Sequence, residues 1–144
     1  MLIEIEEYEA LLSNIYRHIT QKGRFIFEIF NPDFDILTDS LDDSTKEERE
    51  ISEYDDPDGK GKVRVTEKRD YDPTTHILDL DWYYYINGEL ERVEDRKLRI
   101  LFPKEIDAIL KYNGFDIVKK FGDFDRSEFS KDSKTQIIIC KKRD

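Results

Sequence analysis

The tightest constraint on this fold lies between Ile15 and Pro32, Ile-Tyr-Arg-His-Ile-Thr-Gln-Lys-Gly-Arg-Phe-Ile-Phe-Glu-Ile-Phe-Asn-Pro. It joins the end of an amphipathic helix, a tight turn at Gly23, and an apolar run from Phe25 to Phe30 broken only by Glu28. A run apolar at both parities predicts a strand covered on both faces, as in an α/β sheet. Asn31-Pro32 stops it, because proline has no N–H to give to a ladder. A helix feeding a strand through a glycine turn is half of an α/β unit.

At 144 residues the chain has the length of one domain, 1–144, able to bury a core. Its formal net charge of −10 opposes a nucleic-acid backbone, so no nucleic-acid partner is expected. The 12% share of aromatic residues is too rich for a disordered acidic tail. Cys140, the one cysteine, sits inside an apolar run and leaves no pairing within the chain. With no leader and no apolar run of spanning length, the expectation is a cytoplasmic protein without a membrane partner.

From Glu4 to Thr20, Ile5, Tyr8, Leu12, Ile15 and Ile19 recur at three- and four-residue steps, which is one helical face. Glu4, Glu6, Glu7 and Glu9 suit its positive end, and Arg17 and His18 its negative end. His18 therefore reads as a helix-end residue rather than a catalyst. The acidic stretch from Asp33 to Asp58 reads as a solvated loop. Its Asp42-Asp43, Asp55-Asp56 and Asp58 do not match the spacing of a calcium loop, and no metal site is assigned. Thr45 to Ser52 suits a short helix or the start of a strand equally.

The middle of the chain changes period. Val63, Val65 and Tyr71 alternate with Arg64, Thr66 and Lys68, and Asp72-Pro73-Thr74-Thr75 is a turn sequence. Leu78, Leu80, Trp82, Tyr84 and Ile86 then share a face opposite Asp79, Asp81, Tyr83 and Tyr85. Asn87-Gly88 is a hairpin signal, and Glu89 to Leu101 returns with Leu90, Leu98 and Ile100 on one side. The pattern predicts a three-stranded antiparallel meander over about 60–102, greasy on one face and tyrosine-bearing on the other.

Pro103 opens a second helix, Lys104 to Tyr112, which stops at Asn113-Gly114. Phe115 to Phe121 alternates, apart from Val118, as an edge strand does. Ile137-Ile138-Ile139-Cys140 is a continuous apolar run, expected of an interior strand.

Four pieces together resemble the C-terminal half of a Rossmann-like S-adenosylmethionine-dependent methyltransferase. They are the helix-turn-strand from Leu11 to Phe25, Arg99-Ile100-Leu101-Phe102-Pro103-Lys104-Glu105-Ile106, Leu110-Lys111-Tyr112-Asn113-Gly114-Phe115, and the ending from Ser133 to Lys142. The first is similar to that family's leader helix, proline-glycine turn and fifth strand, with Gln21-Lys22-Gly23 in place of Lys-Pro-Gly. The third resembles its helix, Gly-Phe and sixth strand. The resemblance implies an antiparallel seventh strand between the fifth and sixth, in agreement with the interior and edge strands read from periodicity. It implies an α/β fold: a partial Rossmann-like sheet of strands five, six and seven with two helices, plus the inserted meander.

The family binds its cofactor through a glycine-rich turn after its first strand. Only Gly59-Lys60-Gly61 comes close here; it precedes a strand, lacks a third glycine and lies beside acidic residues, so it reads as a surface turn. The resemblance thus implies S-adenosylmethionine for the parent family and no binding by these 144 residues alone. It implies the acceptor side of an enzyme acting on a small-molecule methyl acceptor. Tyr83 and Tyr85 on the polar face of the meander, with Arg69 and Tyr71 on its first strand, are the candidate substrate-binding residues. The alternative is that these aromatics cover the sheet or pack a subunit contact. The fifth strand's open edge also suits an interaction module, self-associating as a homodimer or completing a partner chain.

Overall fold

The structure, a computed structural model, describes residues 2–41 and 47–143. In chain order the elements are α1 (Ile5–His18), β1 (Phe25–Phe30), α2 (Phe34–Asp39), β2 (Arg49–Asp55), β3 (Lys62–Asp72), β4 (Ile77–Ile86), β5 (Glu89–Arg99), α3 (Pro103–Tyr112), β6 (Phe115–Phe121) and β7 (Thr135–Lys142). The chain divides into two compact units: 34–100, and 2–33 with 101–143.

The second unit holds α1, β1, α3, β6 and β7. Glu7 reaches back at the start of α1 and accepts the N–H of the N-cap Glu4 (2.9 Å) and that of Ile3 before it (2.6 Å). The Ile19 N–H closes the helix on the Ile15 carbonyl. Gly23 is required by space: a Cβ there would lie 2.5 Å from Ile19 Cγ1. The sheet order is β1-β7-β6, with β7 antiparallel to both neighbours. Phe25 faces Cys140 and Phe27 faces Ile138 across the ladder, so the interior and edge strands read from periodicity are the ones found. Leu12, Leu101, Ile106, Leu110, Phe115, Ile138 and Cys140 form the core, with Phe25, Phe27 and Ile29 packed against it.

One expectation for β1 fails. Its apolar run predicts cover on both faces, yet Ile26 is 58% exposed and Phe30 73%. The residues of α1 and α3 that join the core pack with Phe25, Phe27 and Ile29, so the other parity of the strand lies outside it. The irregular residue Val118 of β6 is a bulge: pairing jumps from Ile117 to Lys119. The extra residue turns Lys120 to the side of Ile138, where its ammonium meets Asp107 at 2.6 Å and the Gln136 Oε1 at 3.1 Å.

The first unit holds α2 and a four-stranded antiparallel sheet, β2-β3-β4-β5. The expected three-stranded meander is β3-β4-β5. A fourth strand, Arg49–Asp55, precedes it, which resolves the helix-or-strand ambiguity over the described part of 45–52 in favour of a strand. Asp33–Asp58 is therefore not wholly a loop, since α2 also lies within it; Asp42 and Asp43 lie outside the described residues. The Gly59-Lys60-Gly61 pair makes the β2–β3 turn, and Asn87-Gly88, with φ of 51° and 88°, makes the β4–β5 turn. Leu90 and Leu98 do not share a face. A register shift between Tyr84 and Tyr85 sets Leu90 opposite Tyr85, whereas Leu98 faces Leu78.

Candidate functional site

The four candidate residues all lie in the β2–β5 sheet, and the ladder register divides them between its two faces. Arg69 pairs with Leu80 and Tyr71 with Leu78, so both share the face of Trp82 and Tyr84. Tyr83 pairs with Thr66 and Tyr85 with Arg64, on the opposite face. No single pocket over this sheet can be lined by all four.

The Trp82 face is not simply apolar. Val63, Val65, Tyr71, Leu78 and Leu80 are buried, but so is Glu67, only 5% exposed. Its carboxylate is held from two sides: Trp82 Nε1–H donates to Oε2 at 2.7 Å, and Arg69 Nε–H donates to Oε1. Hydrogen bonds from both sides offset the cost of burying a carboxylate. On β5 the guanidinium of Arg96 lies 4.1 Å from the Trp82 ring centroid, and that of Arg92 lies 4.0 Å from that of Tyr84. Glu94 stands between them, bonded to Arg96 at 2.7 Å and to Arg92 at 3.0 Å. The Arg96 hydrogen bond above all holds the Glu94 carboxyl below its ordinary range. These cation–aromatic contacts restrain two long side chains that would otherwise sample many rotamers.

The Tyr83 face is organised by Glu48. Its Oε2 accepts the Tyr85 hydroxyl at 2.6 Å and the Thr66 hydroxyl at 2.7 Å. The Tyr85 bond leads in lowering the Glu48 pKa, and the same bond raises that of Tyr85. The Tyr85 proton is thus committed to Glu48, and only its oxygen lone pairs remain for a ligand. Among the described residues the Tyr83 hydroxyl has no partner, and Lys68 Nζ stands 5.1 Å from its ring centroid. Beyond it, Asp81 faces Asp95 directly, and burial together with Asp95 raises the Asp81 pKa.

Sequence reasoning missed Glu67, Glu48 and the polar role of Trp82. A signal existed for one of them: Glu67 breaks the apolar parity of Val63, Val65 and Tyr71, and a charge at a buried parity calls for a partner. Glu48 had none, since its role comes from the unassigned approach to β2. The Gly59–Gly61 turn does not fit a cofactor cradle. It leads into β3 rather than a helix, and the Cβ position of Gly61 is filled by the Asn87 amide, 2.2 Å away.

No protein-family model matches the sequence, and no curated protein matches it. Solved structures do match. The CcbJ methyltransferase from Streptomyces caelestis superposes with a TM-score of 0.78 at 17% identity, over 99% of this chain and 53% of that one. An S-adenosylmethionine-dependent methyltransferase from Clostridium acetobutylicum gives 0.69 at 16% identity, over 99% and 54%. CalS10, an amino pentose methyltransferase from Micromonospora echinaspora, gives 0.58 at 12% identity, over 98% and 52%. The fold of this chain is that of about half of such methyltransferases, and the chain spans about half their length.

Proposed function

We propose that the chain is the C-terminal, acceptor-side portion of an S-adenosylmethionine-dependent small-molecule methyltransferase, with the cofactor held by residues outside these 144. The observation that carries this reading is the match over 99% of the chain to 53% of CcbJ, at a TM-score of 0.78. The lack of fit at Gly59–Gly61 agrees with it. S-adenosylmethionine brings an already activated methyl group, so the work left to this chain is to hold the acceptor in line and keep water away. Arg69 and Tyr83 are the candidates with uncommitted donor atoms, one on each face of the sheet. Tyr71 is buried on the Arg69 side, and Tyr85 braces the Tyr83 side through its bond to Glu48.

The test is an assay on this chain joined to the polypeptide encoded immediately upstream. The assembly should transfer labelled methyl groups to a small amine or hydroxyl acceptor. Arg69→Gln or Tyr83→Phe should raise the acceptor KM and leave the S-adenosylmethionine dissociation constant unchanged. No upstream frame with a strand and glycine-rich turn, or no transfer by the assembly, overturns the reading.

A second reading rests on β1. Among the described residues its outer edge is unpaired, and Ile26 and Phe30 are exposed beside it. Such an edge suits pairing with a second copy, giving a homodimer without catalysis. A single species of monomer mass in light scattering at high concentration overturns it.

A further inference from the structure

We propose that Arg69 is the anchor of an oxyanion subsite on the Trp82 face, taking a carboxylate or phosphate group carried by a small molecule. The inference deepens the proposed function only in calling that molecule the acceptor; the subsite itself rests on local geometry.

Arg69 is held by one edge. Its Nε–H is committed to Glu67 Oε1, and Glu67 is fixed in turn by the Trp82 indole. Among the described residues the Nη1 and Nη2 groups of Arg69 have no partner, and its side chain is 20% exposed against 6% for Glu67. A guanidinium clamped at Nε and free at both Nη atoms presents a planar pair of donors matched to two oxygens of one anion. Little rotamer entropy remains to be lost on binding, because the clamp has already removed it.

Charge points the same way. In a chain of net charge −10, the surroundings of Trp82 carry Arg69, Arg92 and Arg96 against Glu67 and Glu94. On the opposite face the corresponding rows carry Asp70, Asp79, Asp81 and Asp95 against Lys68 and Lys97. An anion is therefore drawn to one face and repelled by the other. Leu80, buried, lies between Arg69 and Arg96 in the ladder, so the two guanidinium groups flank an apolar row.

Trp82 is the one tryptophan of the chain, so its indole N–H gives a single, identifiable NMR signal two contacts away from the subsite. The experiment follows this signal and the Arg69 Nε–H in the labelled full chain during titration with inorganic phosphate and, separately, with acetate. Sodium chloride at matched ionic strength is the control. A saturable shift of both signals is expected with at least one probe, lost in Arg69→Gln and about tenfold weaker in Arg69→Lys. Response to phosphate alone, acetate alone or both identifies the oxyanion and supports the proposal. No saturable shift with either probe, a shift reproduced by chloride, or one unaltered in Arg69→Lys overturns it; the lysine variant serves where Arg69→Gln fails to fold. A chain that binds phosphate at Arg69 but gives no methyl transfer when joined to its upstream partner keeps the subsite and loses the proposed function.

Discussion

Glu67 and Trp82 face each other across the β3–β4 ladder, and the indole N–H donates to the carboxylate at 2.7 Å. With Arg69 on the other oxygen, Glu67 turns a parity that reads as plain core into a paired polar centre inside an apolar surround. Removing the carboxylate alone leaves a partly buried guanidinium and an indole N–H unpaired. Glu67→Ala should lower unfolding stability by about 3 kcal/mol, whereas Glu67→Leu combined with Arg69→Leu should recover most of that loss. Urea denaturation of the two variants measures both effects. A Glu67→Ala midpoint equal to the unmodified chain's contradicts the pairing.

The β3–β4 turn is tied by Asp72. Its carboxylate accepts the Thr74 hydroxyl (2.6 Å), the Thr74 N–H (2.8 Å) and the Thr75 hydroxyl (2.8 Å), which hold its pKa down to about 2 from an ordinary 3.8. A depressed carboxylate pKa means the folded state gains stability from ionised Asp72 above pH 3.8 and loses it as the pH falls through about 2. Asp72→Ala should thus have a lower urea midpoint than the unmodified chain at pH 6. The difference should shrink toward pH 2. A gap that stays constant with pH contradicts the assignment.

Asp81 carries the opposite sign. Burial and the facing Asp95 raise its pKa, so its ionisation works against the folded state. Asp81→Asn should stabilise the chain by about 0.5 kcal/mol at pH 7, the scale of a directly opposed like-charge pair, and the gain should fade at acid pH. Thermal denaturation at pH 7 and pH 4 checks it.

Cys140 is fully buried in the core between β1 and β6, and burial pushes its thiol pKa up to about 11. It should resist a thiol reagent at pH 8 and react fully in urea, at a rate set by unfolding. Prompt labelling of the folded chain contradicts its placement.

The β1-β7-β6 sheet was legible because each strand writes its position in its own residues: the unbroken run at Ile137–Cys140, the alternation at Phe115–Phe121 and the stop at Asn31-Pro32. The meander was legible for the same reason, with Asn87-Gly88 fixing its hairpin. What escaped depends on neighbours distant in sequence. Cover over Ile26 and Phe30 is decided by which helices pack where. The opposite facing of Leu90 and Leu98 follows from a one-residue register shift that leaves no compositional mark. Residue types alone do not show that strand parity parts Arg69 and Tyr71 from Tyr83 and Tyr85. Glu48 was hidden because its bonds to Tyr85 and Thr66 span 37 and 18 residues.

The proposed function gives these residues the acceptor side of a methyltransferase and not its cofactor cradle. Calorimetric titration of S-adenosylmethionine into the purified chain tests it most directly. Heats of dilution only are expected. Saturable binding at one site per chain would contradict it.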